Sequence, residues 1–169
     1  MKYKLKEINL DDVSFNKIDV TNGKIVNLKY KNDSLEFQTP KIIIEDLIKE
    51  NNQEFIILKI LGNQACKLFC SRIIEFENLF NTILQKNKDW FHGSPSEIKT
   101  IFNEHLFIVK IPFKYSRPLV KVYKDNSLFN YYHLSKGMEI ICLITLDKLW
   151  INTLNEPSYN LNVKEIMVL

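Results

Sequence analysis

Apolar and polar residues alternate along most of this chain, and that pattern limits the possible folds more than any other feature. In residues 106–113, for example, Phe107, Val109, Ile111 and Phe113 would share one face of a strand. Such alternation is typical of half-buried β-strands. It predicts strands over residues 2–8, 24–30, 34–39, 54–61, 106–113, 119–123, 138–146 and 159–168, with a tight hairpin at Lys31-Asn32-Asp33 between the second and third.

Two segments depart from this alternation and predict helices. Apolar residues recur at helical spacing between residues 72 and 85, which indicates an amphipathic helix there: Ile73, Phe76, Phe80, Ile83 and Leu84. Ser94-Pro95-Ser96-Glu97 has the order of a capping box with proline at the first helical position. It predicts a short helix over residues 95–103, with Trp90-Phe91 as a hydrophobic staple.

These elements indicate a mainly β fold with two helices, of the α+β class. Many short strands with few helices favour a Greek-key barrel like the oligonucleotide-binding (OB) fold, or a related sandwich. At 169 residues, 46% of them hydrophobic, the chain is expected to form a single domain over residues 1–169.

The charge and the cysteine content limit which partners and which cellular compartment are expected for this chain. The formal net charge is only +3, so an acidic partner would have to recognise local clusters of cations. Three cysteines without an apolar signal segment fit a reducing intracellular compartment. The apolar runs fall short of the roughly 18 residues that span a bilayer, so no membrane partner is expected.

Residues that could support catalysis are few. His92, His105 and His133 are widely spaced, and the sequence contains no HExxH, GxSxG or P-loop motif. Cys66 and Cys70 lack the second close pair of ligands that a zinc site normally has, so they are interpreted as buried small hydrophobes. We therefore predict neither enzymatic activity nor a metal or other cofactor.

A metal-dependent nuclease would require clustered carboxylates. Glu45-Asp46 is one candidate pair, and Glu75 with Glu77 is another. Residues two apart on a helix do not face each other, which disfavours the second pair.

Residues 106–124, LFIVKIPFKYSRPLVKVYK, hold five basic side chains and no carboxylate. A hairpin turning at residues 115–118 would gather these cations into one patch: Lys110, Lys114, Arg117, Lys121 and Lys124. Like charges side by side on a sheet are destabilising unless an anion screens them. Nucleic-acid phosphates would supply that screening, with affinity that falls as salt rises.

Aromatic residues accompany these cations. Phe113, Tyr115 and Tyr123 offer flat surfaces on which bases can stack, at about 1 to 3 kcal/mol per base. Trp150, near a strand end, could add another platform, and Lys29 and Lys31 could extend the groove. The same features equally describe a solvated edge hairpin, because lysines on edge strands protect against aggregation.

Several short motifs resemble, in type and order, a group of small proteins encoded by nucleocytoplasmic large DNA viruses. They are LEFQTPKI at 35–42, DWFHGSPSEIKTIF at 89–102, VKIPFKY at 109–115, SKGMEIICLITLDKLWI at 135–151 and VKEIMVL at 163–169. The resemblance implies an OB-like fold and single-stranded DNA binding in viral replication or transcription. It also implies localisation to the viral factory in the host cytoplasm, or to the virion.

The resemblance assigns matching positions to Phe37, Gln38, Thr39 and Pro40, to Lys110, Pro112, Phe113 and Lys114, and to Trp150. The chain departs from the family pattern at residues 158–162. They read Ser-Tyr-Asn-Leu-Asn where related proteins often carry glycine and tryptophan, which puts a base-stacking surface there in doubt.

The preferred hypothesis is a non-enzymatic, sequence-independent single-stranded DNA-binding protein, with RNA, a second copy of the chain or viral replication proteins as further partners. Its expected nucleic-acid contacts are Lys29, Lys31, Phe37, Lys110, Phe113, Lys114, Tyr115, Arg117, Lys121, Tyr123, Lys124 and Trp150. The alternative is a structural or adaptor protein of a viral replication complex or virion. It would bind a protein partner by its sheet edges, with Ile42, Ile43 and Ile44 exposed as contact points.

Overall fold

The computed structural model describes residues 3–169, with residues 3 and 4 described by their backbone only. Its first half contains β1 (Tyr3–Lys4), β2 (Val13–Val20), β3 (Gly23–Tyr30), β4 (Leu35–Gln38), β5 (Ile42–Glu50), β6 (Gln53–Lys59) and the helix α1 (Gln64–Lys86). Its second half contains β7 (Leu106–Ile111), β8 (Phe113–Lys114), β9 (Arg117–Pro118), β10 (Lys121–Lys124), β11 (Ser127–Leu128), β12 (Glu139–Leu146), β13 (Lys148–Asn152), β14 (Pro157–Tyr159) and β15 (Asn162–Val168).

Five of these strands close into a barrel. In space their order is β12, β5, β6, β7 and β15, and β15 pairs back onto β12. The β7–β15 pair is parallel, and the other four pairs are antiparallel. In chain order, the five barrel strands are β5, β6, β7, β12 and β15, and we refer to them as the first to the fifth barrel strand. This is the Greek-key barrel of the OB type, so the predicted fold class is confirmed.

Two of the barrel strands each pair with two different strands along one edge. β7 and β10 both pair in parallel with β15, and the chain between them leaves the barrel as the β8–β9 hairpin. β4 and β5 likewise share one edge of β12. Between those two, Thr39 continues the ladder, because its N–H donates to Cys142 O and its Oγ1 accepts the Cys142 N–H, both at 2.9 Å.

A second, antiparallel sheet lies beside the barrel, with the order β14, β13, β3 and β2. Its strands β13 and β14 come from the connection between the barrel strands β12 and β15. Gly23 opens β3 with a φ of +145°, and a Cβ there would lie 2.1 Å from Ile151 O. The close approach of β3 to β13 therefore requires glycine at this position.

The helix α1 covers the core with phenylalanine rings. The Asn63 side chain caps its start by accepting the Cys66 N–H at 2.9 Å. Phe69 contacts Phe107 of the barrel, with ring centroids 5.6 Å apart, and Phe80 contacts Tyr159 of the second sheet at 5.5 Å. The helix predicted over residues 72–85 is confirmed, although it begins at Gln64.

The short helix predicted over residues 95–103 is wrong. The Ile98 N–H donates to Asn81 Oδ1 at 2.8 Å, and the Ile101 N–H donates to Glu77 Oε1 at 2.9 Å. This segment therefore runs along α1 and bonds to its side chains instead of to its own carbonyls. Without a helix there is no hydrophobic staple either, and Phe91 is a core residue.

Most predicted strands are present, and the differences have local causes. The strand predicted over residues 2–8 is wrong, because β1 is followed by a 3₁₀ turn at Leu5–Glu7; Lys2 lies outside the described residues. β5 was missed because a bulge at Glu45 breaks its alternation. β2, β13 and β14 were also missed, with β14 taking the start of the strand predicted over residues 159–168.

The turn at Lys31-Asn32 is present, but the hairpin predicted around it is wrong, because β3 and β4 belong to different sheets. Both residues have positive φ, at 50° and 69°, as a tight two-residue turn requires. Pairing across the turn ends at the Tyr30–Asp33 bridge, because the chain then enters β4 of the other sheet.

Cys66 and Cys142 are buried, and burial raises the pKa of the Cys142 thiol to about 12. Within residues 3–169, no three His, Cys, Asp or Glu side chains cluster as a metal site would require. No helix in the same range combines the length and the apolar surface needed to cross a membrane.

Glu77 is expected to be a major determinant of stability. It is 5% exposed, and its Oε1 accepts hydrogen bonds from the Tyr159 hydroxyl at 2.6 Å and from the Ile101 N–H. E77A leaves both buried donors unpaired, at about 1 to 3 kcal/mol each. We expect a loss of about 2 to 4 kcal/mol in the free energy of unfolding, measured by urea denaturation. E97A, on the exposed side of the neighbouring segment, is the matched control and should change stability by less than about 0.5 kcal/mol.

Candidate nucleic-acid interface

The β8–β9 hairpin carries an exposed aromatic ring between two cations. Lys114 and Arg117 are direct cross-strand partners, and Tyr115 and Ser116 form the turn between them with φ of 51° and 60°. The predicted turn at residues 115–118 is therefore present, but the predicted hairpin is wrong beyond it, because β7 and β10 each pair with β15 and not with each other. Tyr115 is 87% exposed, and Lys114 Nζ lies 5.2 Å from its ring centroid. A left-handed backbone is unfavourable for tyrosine, so this ring is displayed at a cost in strain.

A cleft of about 590 Å³ lies where the barrel meets the second sheet, and we call it the tryptophan cleft. One row of paired residues crosses the barrel here, since Asn162 pairs with Lys110 on one side and with Thr145 on the other. The second sheet contributes Trp150, which pairs with Ile25. The residues that matter for binding are Lys110, Phe113, Thr145, Lys148, Trp150 and Asn162; one carboxylate, Asp147, also lines the cleft.

A second cleft, of about 750 Å³, lies between the β5–β6 turn and the β8–β9 hairpin, and we call it the tyrosine cleft. Its main walls are Asn51, Asn52, Phe113, Tyr115 and Tyr132, and Tyr132 is 58% exposed.

A carboxylate of the tyrosine cleft is already engaged by neighbouring side chains. Glu54 pairs with Lys49 at 2.8 Å and accepts the Tyr131 hydroxyl at 2.8 Å. Burial, together with that hydrogen bond, raises the pKa of Tyr131. The Glu54 charge is thus already compensated within the protein.

Phe113 lines both clefts, so the two adjoin each other on the barrel, and we call them together the path. The tyrosine cleft adjoins the connection between the first two barrel strands. The tryptophan cleft adjoins the connection between the fourth and fifth strands. OB folds generally bind oligonucleotides through these two connections and the face between them.

Four cations along this path form no ion pair with the carboxylates of the described residues. Within residues 3–169, the ion pairs closer than 4.0 Å do not include Lys110, Lys114, Arg117 or Lys148. Lys31 differs, since its Nζ lies 3.6 Å from Asp12 and 5.3 Å from the Tyr30 ring centroid. The Lys31 charge is therefore partly compensated within the protein, and its contact with nucleic acid stays a prediction.

The other residues that were predicted to contact nucleic acid lie in different parts of the structure. Phe37 is fully buried against Phe69, with ring centroids 6.3 Å apart, so its assignment as a nucleic-acid contact is wrong. Lys29 is exposed on β3, on the same face as Ile25 of the tryptophan cleft. Its contact with nucleic acid stays a prediction.

The predicted residues of β10 lie apart from the two clefts. Tyr123 pairs with Met167, roughly 16 Å along β15 from Asn162, and lines a separate pocket. Lys121 and Lys124 are exposed on the same strand. The basic stretch therefore does not form one patch, because β10 pairs with the far end of β15.

Sequence reasoning missed two exposed members of the path, Tyr132 and Lys148. Tyr132 follows Tyr131 in a 3₁₀ turn capped by Asn130, outside any predicted element. Lys148 precedes Trp150 by two residues on β13, a strand that was not predicted. The spacing of Lys148 and Trp150 is a signal that could have placed both on one face. The alternative contact points Ile42 and Ile44 are fully buried, so that assignment was wrong.

No family model and no curated protein matches the sequence. Among solved structures, the fold is similar to that of gp2.5, a single-stranded DNA-binding protein encoded by bacteriophage T7. The TM-score is 0.55 at 12% sequence identity, over 79% of this chain and 91% of that one. At this identity the likeness establishes the shared fold alone.

The strained turn gives a direct prediction. Replacing Tyr115-Ser116 by Asn-Gly, in Y115N/S116G, puts residues that favour positive φ at both positions. We expect the free energy of unfolding to rise by about 0.5 to 1 kcal/mol, because the left-handed strain is relieved. Y115A/S116A removes the ring but keeps the strain, so it should give no gain. Equal stability of the two variants would contradict strain at this turn.

Proposed function

We propose that the protein binds single-stranded DNA without chemical turnover, along the path formed by the tyrosine and tryptophan clefts. The observation that carries this proposal is that two exposed and two half-buried aromatic rings line adjoining clefts, beside cations that form no ion pair within 4.0 Å among residues 3–169. Tyr132, Tyr115, Phe113 and Trp150 follow one another along the path. Lys110, Lys114, Arg117 and Lys148 flank them.

The two kinds of side chain serve the two parts of a single strand. Unpaired bases stack on aromatic rings whatever their identity, which favours weak sequence preference. Phosphates neutralise the flanking cations and release condensed counterions, which makes affinity depend on salt. The Arg117 guanidinium can also bind one phosphate through two parallel hydrogen bonds.

Tyr115 supports a binding role more than a structural one. Its ring is almost entirely exposed, so it contributes little to the core, and its backbone is in a conformation unfavourable for tyrosine.

The viral setting rests on the sequence resemblance alone. On this basis the protein would act in replication or transcription of a large DNA virus. Its site of action would be the cytoplasmic viral factory of the host cell, with the virion as a second location.

The electrostatic part of the proposal is tested by two charge-matched variants. K110Q/R117Q removes two cations on the path, and K121Q/K124Q removes two cations on β10. Binding to fluorescent oligothymidine is followed by anisotropy over a range of salt concentrations. We expect K110Q/R117Q to lower affinity at least tenfold at low salt, and to reduce the slope of log affinity against log salt by about 1.4.

K121Q/K124Q should leave both quantities close to those of the unchanged protein. Equal losses from the two pairs would show that only total charge matters, and would contradict a defined path. No binding at low salt would overturn the proposed function. A parallel titration with oligouridine of the same length separates DNA preference from general single-strand binding.

A further inference from the structure

The outer edge of β2 has no partner strand among the described residues. β2 is eight residues long and ends the second sheet, where it pairs only with β3. A long open edge is a ready template for pairing with another strand. The question is which strand its chemistry fits.

The hydrogen-bond pattern shows which backbone groups face this edge. The Leu28 N–H points towards β13, where it donates to Asp147 O. In an antiparallel sheet the direction alternates, so Ile25 and Asn27 point towards β2 and bond Ile18 and Asn16. The N–H and C=O groups of Phe15, Lys17 and Asp19 therefore point to the open edge.

The side chains at the centre of this edge are self-complementary. Lys17 and Asp19 lie on one face of β2, with Lys17 Nζ 3.0 Å from Asp19 Oδ2. If two copies of β2 pair antiparallel about Ile18, Lys17 of each lies opposite Asp19 of the other, as a two-fold interface requires. The neighbouring hydrogen-bonded registers place Lys17 opposite Lys17, or Asp19 opposite Asp19, and such like-charge pairs are destabilising. The register centred on Ile18 is thus favoured over both of its neighbours.

Ile18, on the opposite face of β2 from Lys17 and Asp19, also favours this register. It is 45% exposed, and on the two-fold axis it would face its own copy as a non-hydrogen-bonded pair. The two Cα atoms of such a pair are about 4.5 Å apart, so both side chains lose apolar surface to each other.

We propose that two copies of the chain associate through β2, antiparallel and centred on Ile18. This proposal does not depend on DNA binding, but it has a consequence for it. Ile18, Ile25 and Trp150 pair in one row across the second sheet. Association joins two such rows, with the two Trp150 residues five strand spacings, about 24 Å, apart on one continuous face. Two tryptophan clefts on one surface would raise affinity for a long strand through effective concentration.

The register is tested by disulfide formation in the absence of DNA. In a C70S background, which removes the half-buried thiol of Cys70, I18C places two thiols within disulfide range across the axis. N16C is the matched control on the same face. In this register it lies four residues, about 13 Å, from its own copy, which is beyond disulfide reach.

Under mild oxidation, we expect I18C to form a covalent dimer in at least fivefold higher yield than N16C, measured on non-reducing gels. Equal yields from the two variants would overturn the proposal.

Charge reversal provides an independent test in the I18C, C70S background. K17D gives each copy two acidic side chains at the edge, and D19K gives each copy two basic ones. Each variant alone should lose at least fivefold in cross-linking, because like charges face each other. A mixture of the two, distinguished by a size tag, should recover the heterodimer. If the cross-linking yield of the mixture does not exceed that of either variant alone, the pairing is contradicted. The control is K136D, which makes the same charge change as K17D at a distant exposed residue and should leave the cross-linking yield unchanged.

Discussion

β15 pairs with β7 and β10 along one edge and with β12 along the other, and this double pairing closes the barrel. It also places Lys110, Asn162 and Thr145 in one row, which forms the floor of the tryptophan cleft. Chain segments that do not pair within the closed barrel extend from it as hairpins. The segment between β7 and β10 becomes the β8–β9 hairpin, and the connection before β15 carries β13. The exposed rings of the path are thus a direct consequence of barrel closure.

The charge balance of the path also follows from where the carboxylates are engaged. Glu54 is held by Lys49 and the Tyr131 hydroxyl, and Glu77 is held by Tyr159 and a backbone N–H. Glu36, on β4, pairs with Lys164 of β15. These contacts stabilise the barrel and its packing with α1. Two carboxylates, Glu50 and Asp147, also line the clefts. Among residues 3–169, Lys110, Lys114, Arg117 and Lys148 nevertheless form no ion pair within 4.0 Å, so the phosphates of a polynucleotide can pair with them.

The local sequence pattern predicted individual elements of secondary structure. The pairing of segments that are far apart in the sequence decided how those elements are arranged. Alternation gave the inward face of β7, and the residues at 113–118 gave the β8–β9 hairpin. The sequence could not show that β10 pairs with the far end of β15, which separates Tyr123 from the clefts. Nor could it show that Asn81 and Glu77 would bind the backbone of the predicted second helix. Phe37 was misassigned because a motif reports a position in the chain and not its burial.

The central claim is that one strand of DNA follows the path from the tyrosine cleft to the tryptophan cleft. Photo-cross-linking with oligothymidine carrying 4-thiothymidine, followed by peptide mass spectrometry, tests it most directly. The account predicts cross-links to Tyr115, Tyr132 and Trp150, which face the path. Cross-links concentrated on Tyr123 of β10 or on the exposed face of α1 would contradict it.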